Sequence, residues 1–207
     1  MSGSAVHNAG KEFNAALRQA AGEILQVSAE RLIVSDGHIR CLEDNDGPSI
    51  TLQELAGEVQ GTANSSVEAE GVHEQDQMGY PYGIHLVVVC VDRETARTHL
   101  ERYLIAYDVG RAINPLLIEG QITGGAAQGI GGALLEEFLY DDMGQPLATT
   151  LADYLLPSLH DVPDVELILR EDSPSPLNPL GIKGAGEGGT TAAGAAGVRG
   201  PARQLVG

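Results

Sequence analysis

The stretch GIKGAGEGG, residues 181–189, surrounds one glutamate, Glu187, with five glycines. Glycine loses more backbone freedom on folding than any other residue, so such a run persists where the backbone must approach something closely. Consecutive backbone N–H groups in a glycine loop near a helix start can bind an anion, and a carboxylate held there suits a general base. The residues leave a second interpretation equally open, in which Glu187 caps the helix that follows.

A second segment rich in small residues lies upstream. From about Glu119 to Phe138 the pattern predicts a helix whose glycines allow close approach of another backbone or a ligand, with a break at Asn114-Pro115. VELILRED predicts a strand, and the Pro/Gly-rich residues that follow it predict a long loop of a kind that is usually functional or disordered. The tail begins like a helix of small residues and breaks up at Gly200-Pro201.

The first part of the chain has the pattern of an ordinary α+β unit. KEFNAALRQAAGEIL has helical apolar spacing, RLIVSDGHIRCL predicts a hairpin turning at Asp36-Gly37, and Thr51 with Glu54 forms a capping box for a short helix. GIHLVVVCVD and HLERYLIAYDV then predict two strands joined by RETAR, the first buried on both faces because it is almost wholly apolar. The predicted division is a helix–hairpin–helix part at 1–60, a polar loop or linker at 61–80, and a sheet-plus-helix part at 81–207.

Composition excludes several classes of partner. The 207 residues include 29 acidic and 12 basic ones, and a net charge of -17 argues against nucleic acid and anionic membranes as partners. The two cysteines, Cys41 and Cys90, have no metal-type spacing and fit a reducing compartment. No apolar run approaches the length of a membrane span, so the sequence predicts a cytoplasmic protein.

Four familiar catalytic or binding patterns fail on their context. The letters of residues 184–189 fit G-x-G-x-x-G, but a proline-rich loop precedes them where a dinucleotide fingerprint needs a strand. Residues 124–129 have P-loop spacing, but Ile130 stands where the lysine is required. The sequence has no nucleophile elbow for Ser/His/Asp catalysis. His73, Glu74 and Asp76 fit a solvated loop better than a metal cluster.

Several separate motifs, in one order and spacing, resemble a single family. They are YPYGIHLVVVCVDRETA, YDVGRAINPLLIEGQITGGAAQGIGGALLEE, DYLLPS and EDSPSPLNPLGIKGAGEGG, with LRQAAGEILQVSAERLIVSDGHI near the start. Together they resemble the large, molybdopterin-binding subunit of the xanthine dehydrogenase, aldehyde oxidase and carbon monoxide dehydrogenase family of molybdenum hydroxylases. The resemblance runs over almost the whole chain and implies an α+β fold, the incomplete carboxy-terminal molybdopterin-binding domain of that subunit.

The resemblance also implies roles for individual residues. The residue that matches the active-site base of the K-G-x-G-E motif is Glu187, and the one that matches a glutamine close to the metal pocket is Gln121. The backbone of Ala185 and Gly186 is expected to line the pocket. Lys183 and Gln128 are expected to support the cofactor.

The implied chemistry is oxidative hydroxylation of an aldehyde, a heteroaromatic ring or a similar small molecule, with water as the oxygen source and Glu187 as the base. The implied cofactor is a molybdopterin-type molybdenum cofactor, for which the cytosine dinucleotide form is one candidate. The 2Fe-2S clusters and FAD are expected on partner subunits, an iron–sulfur subunit and an FAD subunit. The remaining part of the large subunit is a further expected partner.

The sequence also departs from the family. Family large subunits are several times longer, and the tail VRGPARQLVG carries a helix-breaking proline where the family continues a helix. Two hypotheses therefore stay open: the portion of a hydroxylase that carries the catalytic base and acts only with the missing part, or a non-catalytic remnant or assembly partner without cofactor. An unrelated nucleotide-binding domain that uses GAGEGG is a weaker third.

Overall fold

The structure is a computed structural model that describes residues 2–42, 46–60 and 67–197. The chain divides into two compact units, Met1–Asp76 and Gln77–Gly207. The first unit contains, in chain order, α1 (Ser2–Leu25), a 3₁₀ turn (Ala29–Arg31), β1 (Leu32–Ser35), β2 (His38–Cys41), β3 (Ser49–Thr51) and α2 (Leu52–Gln60). The second contains β4 (Tyr82–Val91), β5 (Thr98–Asp108), α3 (Pro115–Leu134) and β6 (Val165–Arg170). This mixture of helices and mainly antiparallel strands is the predicted α+β class.

The first unit confirms its local sequence signals. Asp36 and Gly37 both have positive φ, as the two-residue turn of the β1–β2 hairpin requires. The capping box also forms, since the Thr51 N–H donates to Glu54 Oε2 at 2.9 Å and the Glu54 N–H donates to Thr51 Oγ1 at 3.0 Å. Helix α1 begins at Ser2, earlier than the pattern from Lys11 indicates. Strand β3, which pairs antiparallel with β2, was not predicted.

The second unit is a three-stranded sheet in the order β4-β5-β6 with α3 packed on one face. Strand β5 pairs antiparallel with β4 and parallel with β6, and α3 lies in the connection between the two parallel strands. Most of its fully buried core comes from β5 and α3, with Tyr103, Ile105, Ile122, Ala126 and Ile130, and Val109 and Ala193 complete it. The ends of β5 and α3 therefore have fixed positions relative to each other.

Two expectations for the second unit are wrong. Helix α3 begins at Pro115 and ends at Leu134, so Asn114-Pro115 starts the helix instead of breaking the chain. The Asn114 side chain accepts a hydrogen bond from the Leu117 N–H at 3.1 Å, and proline is well suited to the first helical turn. Strand β4 is not buried on both faces, because it is an edge strand whose alternate residues Ile84, Leu86 and Val88 are 58%, 57% and 50% exposed.

Residues 67–81 form neither helix nor strand, as the polar composition of that stretch indicates. The tail after residue 197, with its proline, lies outside the described residues, as do residues 61–66 of the predicted linker. Within the described part of the chain, no helix is both long enough and apolar enough to cross a membrane.

Candidate active site

The glycine-rich loop is held against the end of β5. The Lys183 N–H donates to the carbonyl of Val109 at 2.8 Å, and the Arg111 N–H donates to the carbonyl of Gly181 at 2.9 Å. Gly110 has a φ of 65°, and a Cβ there would overlap the Gly181 carbonyl oxygen. Only glycine satisfies both conditions, so the D-x-G motif that ends β5 sets the path of the loop.

A buried ion pair joins the same two segments. Lys183 Nζ lies 3.0 Å from Asp108 Oδ1, with side chains that are 8% and 5% exposed. The Asp108 carboxylate also accepts hydrogen bonds from the N–H groups of Gly110 and Ser173. Burial by itself raises the pKa of Asp108, but the hydrogen bonds from Gly110, Lys183 and Ser173 outweigh it and hold the pKa below its ordinary value. The Lys183 ammonium also lies 4.5 Å from the centre of the Tyr82 ring.

The glycines of the loop have two different functions. A Cβ at Gly189 would overlap the carbonyl oxygen of Ile122, and a Cβ at Gly188 would overlap the Tyr107 ring. These two glycines therefore allow the loop to pack directly on α3 and β5. Gly184 and Gly186 have no atom within 4 Å of a Cβ position, so their bare backbone faces open space.

That open space is a cavity of about 500 Å³ between the loop and the start of β4. Its lining consists of Met78, Gly79, Tyr80, Pro81, Tyr82, Gly83, His85, Tyr107, Gly184, Gly186, Glu187, Gly188, Thr191 and Ala192. Glu187 is the one carboxylate-bearing residue of this lining. Its charge is close enough to Tyr107 to add to the effect of burial, and together burial and this charge raise the pKa of Tyr107.

Glu187 begins the turn that leads into the helical residues 193–197, but it does so with its backbone. Its carbonyl accepts hydrogen bonds from the N–H groups of Thr190 and Thr191, each at 3.1 Å, and from the Thr191 hydroxyl at 2.9 Å. Among the described residues, no hydrogen bond or ion pair ends on its carboxylate. This geometry favours a carboxylate available to a ligand over the helix-cap interpretation.

The two residues that flank Glu187 are both held through their carbonyl groups. Gln121 Nε2, from α3, donates to the carbonyl of Gly186 at 3.3 Å. His85 Nε2, from β4, lies 3.1 Å from the carbonyl oxygen of Gly188. The other ring nitrogen of His85 lies 2.8 Å from the hydroxyl of the buried Tyr103.

The structure brings together some of the predicted site residues. Gly186 and Glu187 line the cavity, and Gln121 contacts the loop directly. The other three predicted residues do not line the cavity. Ala185 packs on the hydrophobic core, Lys183 forms an ion pair with Asp108, and Gln128 is exposed on α3.

The sequence analysis missed His85 and Tyr107. A usable signal was present for His85, which is the one histidine in the otherwise apolar run GIHLVVVCV. Tyr107 had no such signal, because a buried tyrosine at the end of a strand is typical of any core.

Comparison with known proteins identifies the family. The molybdopterin cofactor-binding domain family matches residues 1–163. The chain is 39% identical over 202 residues to the 6-hydroxypseudooxynicotine dehydrogenase complex subunit gamma of Paenarthrobacter nicotinovorans, covering 95% of this chain and 25% of that protein. It is 32% identical to the carbon monoxide dehydrogenase large chain of Hydrogenophaga pseudoflava, covering 90% and 24%. The structure of quinoline 2-oxidoreductase from Pseudomonas putida 86 matches with a TM-score of 0.80 at 34% identity, covering 93% and 25%.

The chain therefore belongs to the molybdopterin-binding large-subunit family of the molybdenum hydroxylases. It spans about a quarter of the length of the relatives it matches. The resemblance predicted from the sequence motifs is confirmed.

The cavity fits one part of a molybdopterin-type cofactor. Gly184 and Gly186 form a stretch of bare backbone that any Cβ would fill, as the close approach of a flat ligand requires. Gly184, Gly186 and Glu187 line the cavity, and none of the described residues accepts a hydrogen bond from their backbone N–H groups. These N–H groups can bind the oxygens of an anionic ligand. The backbone N–H donors of the loop are thus suited to the pterin and its oxygens.

Proposed function

We propose that this chain supplies the catalytic-base wall of a molybdopterin-dependent hydroxylase and acts together with the remaining part of a large subunit. The observation that carries the proposal is the position of Glu187. Its carboxylate has no partner among the described residues, while the backbone on both sides of it is held by hydrogen bonds from α3 and β4. A carboxylate that is free to accept a proton, on a backbone held at the wall of a cavity, suits general-base catalysis.

The residues of this chain have distinct roles in the proposed reaction. Glu187 accepts a proton at its carboxylate inside the cavity. Gly184 and Gly186 allow the cofactor to approach the backbone, and Gln121 orients the loop through the Gly186 carbonyl. Lys183 supports the cofactor indirectly, because its ion pair with Asp108 fixes the start of the loop. We assign no contact to Gln128, although its exposed position on α3 leaves it open to the missing part of the subunit.

When bound, the molybdenum cofactor supplies the two-electron redox chemistry of a hydroxylation in which water is the oxygen source. The overall reaction converts a C–H bond and one water into a C–OH bond, two protons and two electrons. Glu187 takes up one of those protons. The electrons are expected to leave through 2Fe-2S clusters and FAD on partner subunits. An aldehyde or an electron-poor heteroaromatic ring is the expected substrate class.

The test is the molybdenum content of the purified chain, measured by mass spectrometry. One preparation contains the chain alone, and the other contains the chain produced together with the missing large-subunit part, the iron–sulfur subunit and the FAD subunit. We expect about one molybdenum per chain only in the second preparation. Its absence from both would refute the proposal and leave the non-catalytic remnant as the better account.

A further inference from the structure

His85 is a half-buried polar group to which the chemistry above assigns no part. It lies in the middle of β4, on the face of the strand that is turned toward the core and the cavity, whereas its neighbours Ile84 and Leu86 are exposed on the other face. Both of its ring nitrogens are used. The ring also makes an edge-on contact with Tyr103, with the ring centres 5.6 Å apart.

The partners of the ring define its tautomer. The carbonyl of Gly188 can only accept a hydrogen bond, so Nε2 must carry the proton and donate it. The Tyr103 hydroxyl can then donate to the unprotonated Nδ1 at 2.8 Å. The environment agrees with a neutral ring, because burial lowers the pKa of His85 more strongly than the hydrogen bond to Gly188 raises it. Burial also raises the pKa of Tyr103 to about 12, so its hydroxyl keeps its proton.

The hydrogen bond from His85 complements the one from Gln121. Gln121 holds the carbonyl of Gly186, the residue before Glu187, and His85 holds the carbonyl of Gly188, the residue after it. The two donors come from different elements, α3 and β4, so the residues on both sides of the glutamate are held independently. Glycine at 186 and 188 gives the loop little intrinsic rigidity, so these two contacts matter more here than in an ordinary loop.

We infer that His85, as the Nε2–H tautomer, is a positioning residue that holds the Gly188 carbonyl and thereby fixes the backbone that carries Glu187 at the wall of the cavity. This inference rests on the proposed function for the meaning of that position. The contact itself is testable without cofactor, so failure of the proposed function and failure of this inference give different results.

Two amide variants separate the contact with Gly188 from simple loss of a polar group. In His85→Gln the side-chain nitrogen reaches the position of Nε2 and can still donate to Gly188. In His85→Asn the amide reaches only the position of Nδ1 and cannot. The two side chains have the same chemistry, but His85→Gln keeps the contact with Gly188 and gives up the one with the Tyr103 hydroxyl, whereas His85→Asn can keep only the contact with Tyr103. A difference between them therefore reports which of the two contacts holds the loop.

The readout is hydrogen–deuterium exchange by mass spectrometry on peptides that cover residues 184–192 of the purified 207-residue chain. For His85→Asn we expect exchange of this segment to rise about fivefold, the factor that corresponds to one net hydrogen bond. His85→Gln should stay within about twofold of the natural chain, and α3 should be unchanged in both. Equal exchange in the two variants, or no change in His85→Asn, would overturn the inference.

A second measurement does not depend on the variants folding. In the ¹⁵N spectrum of the natural chain at pH 7, the His85 ring should show a protonated Nε2 and an unprotonated Nδ1. The opposite tautomer, or a doubly protonated ring, would contradict the assignment.

In the assembled complex, His85→Asn should lower kcat at unchanged molybdenum content, and His85→Gln should keep kcat close to that of the natural chain. A complex without molybdenum would speak against the proposed function and leave the exchange result standing.

Discussion

The buried ion pair between Lys183 and Asp108 gives a quantitative test of how the loop is held. Lys183→Met keeps most of the volume of the side chain but leaves the Asp108 carboxylate buried without its cation. Removing one partner of a buried pair costs about 3–5 kcal/mol of the free energy of unfolding. With a urea dependence of about 2 kcal/mol per molar, the unfolding midpoint should fall by about 2 M.

The chain offers a matched control for this variant. Arg102 and Glu166 form an ion pair at 2.6 Å, but their side chains are 69% and 49% exposed. Arg102→Met should therefore cost less than about 1 kcal/mol, because water screens the pair. Losses of similar size in the two variants would refute the argument that burial makes the Lys183 pair important.

The assay is urea unfolding followed by tyrosine fluorescence. All six tyrosines lie between residues 80 and 154, and the chain has no tryptophan, so the signal reports the second unit alone.

The contribution of Asp108 to the free energy of unfolding depends on pH with a defined sign. Because the folded-state pKa of Asp108 lies below its ordinary value of 3.8, its contribution is complete above about pH 5 and is lost as the pH falls through the folded-state pKa. Lys183→Met should weaken this acid-dependent loss.

Three further predictions concern the loop and the cavity. Gly189→Ala should lower the free energy of unfolding of the second unit by about 2 kcal/mol or more in urea, because the new Cβ meets the backbone of α3. Gly184→Ala, whose Cβ meets nothing, should leave that free energy unchanged or slightly higher. Equal effects of the two substitutions would contradict the two functions assigned to these glycines. Glu187→Gln should lower the pKa of Tyr107, measured by NMR titration, because a negative charge near the phenol is removed; an unchanged pKa would place the carboxylate elsewhere. The pKa of His85, measured from its ring signals, should lie below the ordinary 6.5 because partial burial disfavours the charged ring. A higher value would refute the assignment of a neutral ring.

Local signals in the sequence predicted much of the fold. The Asp36-Gly37 turn and the Thr51 capping box depend on residues close together in the chain, so their patterns are reliable. The start of α3 was misplaced because Asn114-Pro115 can either cap a helix or break one, and only the hydrogen bond to Leu117 decides between them. The burial of β4 was misjudged because an apolar run does not reveal whether anything covers its outer face.

The candidate site likewise contains some residues that the sequence indicated and others that it did not. Glu187 was singled out by the glycine-rich run and assigned a role by the resemblance, whereas Gln121 came from the resemblance alone, and the structure places both at one loop. The contact of His85 with Gly188 joins residues 103 positions apart, so no local pattern contains it. The glycines show most clearly what the sequence alone does not reveal. Gly189 allows the loop to pack against α3, whereas Gly186 faces open space. Only the fold distinguishes these two uses.

The outer face of β4 agrees with the partial coverage of the relatives. Ile84, Leu86 and Val88 form a row of exposed apolar side chains on an edge strand. Such a row is an aggregation hazard when it is left uncovered. We therefore expect the chain to be more soluble when it is produced with the proposed remaining part of a large subunit than when it is produced alone.

The most direct test of the central claim is the turnover per molybdenum of the co-produced complex with Glu187→Gln. The matched control is Glu101→Gln, which neutralises an exposed glutamate of β5 outside the cavity. The account predicts equal molybdenum in both complexes, with turnover about 10² to 10⁴ lower only in Glu187→Gln, the usual contribution of a positioned general base. Turnover within about tenfold of the control at equal molybdenum would contradict the assignment of Glu187 as the base.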